Sequence, residues 1–573
     1  MMTVWADKMD PEHVLEEYPR PQLKRDSYLN LNGYWDYAIT SSDVMPSSYD
    51  GKILVPFSPE APLSGVGHIL QKEEYLWYNR HVVLPDNFKK SKIYLHFGAV
   101  DREASVFING KDIYRHEGGY LPFSVDITDY IGSEFTLSLC VTDDTDASFH
   151  TRGKQSTRSG GIWYTPQSGI WQTVWMESVP NTFIRSLRYT PYLKESEIGI
   201  YISTNIPCAC VIHLNGKLYT VISGKENRIK IPEVRYWSPE DPYLYSIEVI
   251  AGEDRVESYF AMRSYSIQTD RNGIPRLCLN DKPYFHKGVL DQGYWPDGLY
   301  TAPSDEAMIY DIGQMKRMGF NMLRKHIKVE PLRWYYHCDR LGMLVWQDMP
   351  NGGKKYLPAI VSAPLITGIH LSDKRYKLFA REEEYGRREF IAELREMIGH
   401  LYSCPCIAMW VPFNEGWGQF DADRIVSLIK EMDKTRTVDQ ASGWHDQNGG
   451  DVKSLHVYFK PYHYRSYKGP RATVLSEFGG YHLSVAEHCR PKKRFGYRAC
   501  RDTDQYNRAL KKLFYKQIIP AVSEGLSATV YTQLSDVEGE VNGLMTYDRY
   551  VIKPDSALMR EINRDLTLDR TSY

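Results

Sequence analysis

The chain has 573 residues, with 70 Lys and Arg against 72 Asp and Glu, for a formal net charge of −2. That length exceeds one ordinary hydrophobic core and predicts several domains, while the balanced charge excludes a nucleic acid or an anionic membrane recognised through a global field. The charged stretch Met1 to Pro21 lacks the apolar segment of a secretory signal, and no run of about 18 apolar residues predicts a membrane-spanning helix.

The nine cysteines are odd in number and widely spread, which predicts reduced thiols and a cytoplasmic protein. Cys208-Ala-Cys210 and Cys404-Pro-Cys406 lack the spacing and second ligand pair of a zinc site, so neither a metal nor another cofactor is expected.

Residues 1–180 read as all-β. Trp77–Leu84, Ile93–Phe97 and Ala104–Ile108 are strand-forming runs, and Asn109-Gly110 marks a tight hairpin. Phe123–Tyr130, Phe135–Val141 and Ile170–Glu177 continue a rhythm that predicts a β jelly roll. The Gly-, Ser- and Arg-rich loop Thr151–Gly161 reads as a solvated surface loop, with a reach into a neighbouring site as its alternative. Residues 181–270 hold a second β set at Ile198–Thr204, Cys210–Leu214, Tyr219–Ile222 and Tyr243–Ile250, the spacing of an immunoglobulin-like β-sandwich.

From 271 to 573 strand-like runs alternate with amphipathic helices. Eight runs, at Tyr284–Leu290, Phe320–Arg324, Met343–Gln347, Ile407–Phe413, Thr437–Ala441, Ser454–Tyr458, Thr473–Leu475 and Ala528–Gln533, predict a parallel (β/α)8 TIM barrel. Asp305–Met318 is a helix with Ser304 as N-cap and Gly319 as stop, and a long insertion spans Asn351–Lys377.

Two of these runs lead into carboxylates. Ile407–Gly416 is uncharged until Asn414-Glu415, and Ala472–Gly480 contains Glu477 before its glycines. The fourth and seventh strands of a barrel lie nearly opposite each other, so the two side chains can face one sugar across the mouth. Glycosidic bond cleavage needs such a pair. Glu415 is the candidate general acid/base, its pKa expected to rise through burial and the charge of Glu477. Glu477 is the candidate nucleophile, and Asn414 is placed to donate to the sugar's 2-hydroxyl.

Five stretches resemble glycoside hydrolase family 2, the group of β-galactosidases, β-glucuronidases and β-mannosidases. They are Phe97–Gly110, Gly118–Phe123, Trp237–Tyr245, Trp410–Glu415 and Ser476–Gly479. The resemblance covers nearly the whole chain and implies jelly roll, immunoglobulin-like sandwich and catalytic barrel, in that order. It implies that Glu415 is acid/base, that Glu477 is nucleophile and that the anomer is retained. The expected activity is exo-hydrolysis of terminal β-D-galactose-configured residues from small carbohydrate substrates. A β-uronidase, on galacturonides before glucuronides, is the alternative, and a non-catalytic carbohydrate-binding protein is the second. A homo-oligomer is expected by analogy.

The departures from the family bear on the substrate. Arg324 and His326 match the run after the second strand, but Lys325 and Lys328 are added cations. They read either as ligands of a substrate carboxylate or as partners of Glu330 or Asp348. The Asn-x-Lys motif of β-glucuronidases is not evident where Glu538–Met545 stands. Asp291, Asp348, Trp444, His456 and Tyr458 complete the expected substrate contacts, Trp444 as a stacking platform and Tyr458 through Glu477. His400 resembles the histidine that precedes the family's acid/base strand.

Overall fold

Alternation sets the first two units. In the strand Glu103–Ile108 every second side chain, Ala104, Val106 and Ile108, is buried. The computed structural model describes residues 1–489 and 494–568. A six-stranded and a four-stranded antiparallel sheet close over Leu95, Phe97, Val106, Leu137 and Leu139 to form the jelly roll. Two smaller sheets, built from strands between Ile184 and Phe260, enclose Ile200, Ile212 and Val249 as the immunoglobulin-like sandwich.

The barrel strands are buried on both faces instead. They are β1 His286–Asp291, β2 Met322–Lys325, β3 Leu344–Asp348 and β4 Ile407–Val411, then β5 Thr437–Val438, β6 Val452–Val457, β7 Ala472–Gly479 and β8 Leu526–Thr532. All five side chains of β4 are buried, because helices cover one side and the barrel interior fills the other. The strands pair in parallel from β5 through β4, β3, β2, β1, β8 and β7 to β6. Between β5 and β6 the described residues form no ladder. Asp451 N–H donates to the Val438 carbonyl at 2.8 Å, Ser454 Oγ to Asp439 at 2.8 Å, and Ser442 Oγ meets His456 Nε2 at 3.1 Å.

The expected cap is present. Ser304 accepts from Ala307 N–H, and Gly319 stops the helix at a φ of 86°. The helical run ahead of β8, Thr503–Leu513 and Ile519–Glu524, is interrupted by a π segment, Phe514–Ile518. Pro520 lacks an N–H and crowds the carbonyl four residues earlier, so the ladder widens just before it. No helix among the described residues is long and apolar enough to cross a membrane.

Buried ions stitch the units together. Arg25 donates to Asp254 of the second unit at 2.9 Å and to Glu177 of the first at 3.3 Å. Trp237 Nε1 reaches the Asp339 carbonyl of the barrel at 2.7 Å. Burial pushes the Glu177 carboxyl up, but Arg20, His96 and Arg25 outweigh it and hold the group well below the usual range. Its contribution to stability is therefore present above the ordinary value of 4.5 and is lost as pH falls toward the folded value. Arg25→Ala, which leaves the buried Asp254 carboxylate without its ion-pair partner, is expected to cost about 3–5 kcal/mol, read as a lowered Tm at neutral pH. Glu177→Gln should flatten the acid side of the stability profile, and an unaltered profile would remove Glu177 from this role.

Candidate active site

One guanidinium gathers the mouth of the barrel. Arg324, at the end of β2, has no exposed surface. It donates twice to Asp348 of β3, at 2.9 and 3.0 Å, and to Asn414 Oδ1 at 2.8 Å. On β7 it reaches Glu477 Oε1 at 3.1 Å and the Ser476 carbonyl at 3.2 Å. The other oxygen of Glu477 accepts from Tyr458 O–H at 2.5 Å. The ring of Tyr458 is itself stacked on Tyr497, with centroids 3.8 Å apart.

Glu415 follows β4 with a φ of 51°, a left-handed backbone unusual for a side chain with a Cβ. Its N–H donates to the Ser442 carbonyl at 2.8 Å, tying it to the β5 side of the barrel. Its Oε1 lies 2.7 Å from His456 Nδ1, and its Oε2 accepts from Trp417 Nε1 at 3.3 Å. His456 Nδ1 is also 3.5 Å from Glu477 Oε2. The facing atoms of Glu415, His456 and Glu477 all lie within 4.8 Å of one another, close enough to share a proton or, geometrically, one cation. Each is already engaged by a hydrogen bond inside the site.

The expected rise in the Glu415 pKa is not found. Burial pushes this carboxyl up, but the hydrogen bond and charge of His456, followed by Lys154 and Trp417, hold it below the usual range. His326 is the reverse case. Burial, with Lys154 and Arg324 nearby, pushes it well down and keeps it neutral. Its Nδ1 meets Asp348 Oδ2 at 2.6 Å, while Nε2 is buried without a partner and is left to accept from a ligand hydroxyl.

Four of the expected substrate contacts are instead engaged within the protein. Lys325 Nζ donates to Asp291 and Glu330, both at 2.7 Å, and is 1% exposed. Lys328 Nζ donates to Glu330 at 2.8 Å and to the Gly293 and Tyr300 carbonyls at 2.7 Å. Lys328 thus spends all three donors on protein, Lys325 spends two and faces the Trp334 ring at 4.2 Å, and Asp291 is consumed by Lys325 and by Gly293 N–H. Asp348 is likewise occupied, by Arg324 and His326, and orients both. Trp444 stands half-buried at the rim, its ring 6.4 Å from that of His456. His400 ends the helix Glu384–Leu401 ahead of β4, at the opposite end of the barrel, where burial pushes it down to about 4.

The loop expected on the surface reaches the site. Gly153 N–H and Gln155 Nε2 both donate to the Tyr120 hydroxyl, at 2.6 and 2.8 Å. A Cβ at Gly153 would collide with the Tyr300 hydroxyl, so only glycine permits this approach. The loop thereby turns Lys154 toward Glu415, His326 and Glu540, on all of which its charge acts. Among the described residues the Lys154 ammonium makes no ion pair. Glu540, which sequence reasoning passed over, accepts from Tyr164 O–H at 2.5 Å and from Asn542 at 3.0 Å. Burial raises its pKa. Trp417, two residues beyond Glu415, was the one missed contact adjacent to a recognised motif.

If Lys325 and Lys328 serve the fold, Lys325→Ala and Lys328→Ala should each lower unfolding free energy by about 3–5 kcal/mol, measured by denaturant titration. Full stability in both variants would return them to the pocket.

The chain matches the model for the TIM barrel domain of glycosyl hydrolases family 2 over residues 275–478, and that for the family's sugar binding domain over residues 66–180. A β-galactosidase of Thermoanaerobacter pseudethanolicus is 26% identical over 442 residues, covering 71% of this chain and 54% of that protein. Rat β-glucuronidase is 22% identical, covering 68% of this chain and 63% of its own length. The chain thus spans between half and two thirds of these relatives. Among solved structures, a β-galacturonidase of Eisenbergiella tayi bound to galacturonate superposes with a TM-score of 0.72 at 18% identity, over 96% of this chain and all of that one. A β-D-glucuronidase of Dictyoglomus thermophilum gives 0.75 at 16% identity, over 96% and 99%. With both domain models matched in the order of the fold and together covering more than half of the residues, the chain belongs to glycosyl hydrolases family 2.

Proposed function

We propose that this protein is a retaining exo-β-glycosidase with Glu477 as nucleophile and Glu415 as general acid/base. The observation that carries the reading is the approach of the two carboxylates and His456 to within 4.8 Å. Double displacement uses a separation of about 5–5.5 Å, whereas inversion needs about 6.5–9.5 Å to admit a water.

Glu477, held by hydrogen bonds from Arg324 and Tyr458, attacks the anomeric carbon as the bond to the leaving oxygen breaks. Glu415 gives that oxygen a proton. Water then gives a proton to Glu415 and attacks the same carbon, and Glu477 leaves as carboxylate. In the free site Glu415 Oε1 lies 2.7 Å from His456 Nδ1, within hydrogen-bond reach. A sugar that displaces water disfavours the ionised carboxyl of Glu415 and favours the neutral acid. Asn414, its oxygen held by Arg324, keeps its amide N–H groups for the 2-hydroxyl. His326 Nε2 accepts from another hydroxyl.

For the sugar, a neutral galactose-configured residue is one reading. The lysines at the end of β2 are neutralised internally, and Glu540 on the wall offers an acceptor to hydroxyls rather than a partner to an anion. The second reading, a β-uronidase on galacturonides before glucuronides, is favoured by the unpaired Lys154 and by the likeness to the uronidases above.

Turnover of 4-nitrophenyl β-D-galactoside, β-D-galacturonide, β-D-glucuronide and β-D-mannoside by the purified protein separates the two, and no turnover of any β-glycoside would leave only a binding protein. If a uronide leads, Lys154→Ala should remove about tenfold of that preference, near 1.4 kcal/mol. Glu477→Gln should lose about a thousandfold or more in kcat, and the first product seen by NMR should be the β-anomer. His456→Asn releases Glu415 to the upward push of burial, so the alkaline limb of kcat/KM should move to higher pH. An unmoved limb would separate His456 from the acid.

A further inference from the structure

An acid that protonates the leaving oxygen must border the leaving group. Trp417, which donates to Glu415 Oε2, is therefore on that side, and two more rings gather around it. Trp163 meets Trp417 edge-on with centroids 5.5 Å apart, and Tyr356 meets it at 5.0 Å. Trp163 and Tyr356 lie nearly parallel, 18° apart, with centroids at 5.8 Å. All three rings are only partly buried.

They come from three separate segments, which are fastened to one another. Trp163 belongs to the jelly-roll loop, where Gly160 and Trp163 bond each other's backbones at 2.7 and 3.2 Å. Tyr356 belongs to the insertion after β3, and its hydroxyl donates to the Gly352 carbonyl at 3.0 Å. Arg152 of the loop donates to the Gly353 carbonyl at 2.5 Å and sets its guanidinium 5.1 Å over the Tyr356 ring. A fold that only needed to bury these rings would have them in a core. Here they stand partly exposed, at fixed angles, beside the acid.

We infer that Trp163, Tyr356 and Trp417 form the leaving-group subsite, taking the flat apolar face of a ring, whether a pyranose or an aryl group, through stacking. The inference rests on Glu415 being the acid/base. It assigns to the jelly-roll domain a direct contact with substrate and makes the insertion its second wall.

The test compares leaving groups of different size on whichever sugar is best turned over: the β-glycosyl fluoride, the 4-nitrophenyl glycoside and a β-linked disaccharide. Trp163→Ala and Tyr356→Ala should each lower kcat/KM for at least one ring-bearing substrate by about tenfold, while the fluoride stays within about twofold. Trp163→Phe should restore much of the loss, since it keeps a flat ring. Loss on the 4-nitrophenyl substrate alone marks an aryl site, and loss on the disaccharide a sugar site. A phenyl glycoside added as acceptor should speed fluoride turnover in the parent protein and not in Trp163→Ala. Equal losses on the fluoride, or no loss on either ring, would overturn the subsite while leaving the glycosidase reading intact. Failure of the parent protein to hydrolyse the fluoride would end both.

Discussion

A buried guanidinium is the constraint on which the centre depends. Arg324 has no water to solvate it, so its charge must be met by protein, and the groups that meet it arrive from β3, from the end of β4 and from β7. Its bidentate bond to Asp348 fixes the plane of the fork. That plane directs the remaining N–H groups at Glu477 and Asn414. Three distant segments are thereby brought into register by one planar group. Asp348 also orients His326, so the charge network below the pocket positions groups above it without touching a substrate. Desolvating such a network is costly, and the return is geometric precision at Glu477 rather than stability.

The imidazole of His456 has the complementary task. It stands between two carboxylates that would otherwise repel each other across a few ångströms of low-dielectric space. A single proton on this side of the pocket can reside on nitrogen or on oxygen, according to what else occupies the site. The departure of Glu415 from the expected direction of pKa shift has this cause: burial was visible in the sequence, but its partner was forty-one positions away, on another strand.

Much of the architecture was legible for simple reasons. A strand buried on both faces leaves an unbroken apolar run, as in Ile407–Val411, and a carboxylate at its end stands out against it. Alternation marked the sandwich strands, and Ser304 with Gly319 marked a helix. The lysines at the end of β2 were ambiguous because a sequence displays charge but not its partners. Glu330 and Asp291, which neutralise them, belong to turns and strand ends whose convergence is tertiary. The loop Thr151–Gly161, which carries Lys154, reads as a surface loop before it reads as a site loop for a related reason. Its composition is that of a surface loop, and its destination is set by Tyr120 and by the space that Gly153 leaves. An irregularity ahead of Pro520 was foreseeable from that proline alone.

The seam between β5 and β6 bears on how the molecule fails. Elsewhere the barrel is closed by ladders of backbone hydrogen bonds, but here a few polar side chains and a single main-chain contact hold the edges together. His456 sits on one side of the seam, and the Ser442 that anchors Glu415 sits on the other. Amides along this line are the natural first site of solvent exchange, because little must be broken to expose them. A breath of the barrel at this place would part the imidazole from the acid while the tryptophans of the core stayed packed. Heat or mild denaturant would then silence the centre before the fold is lost.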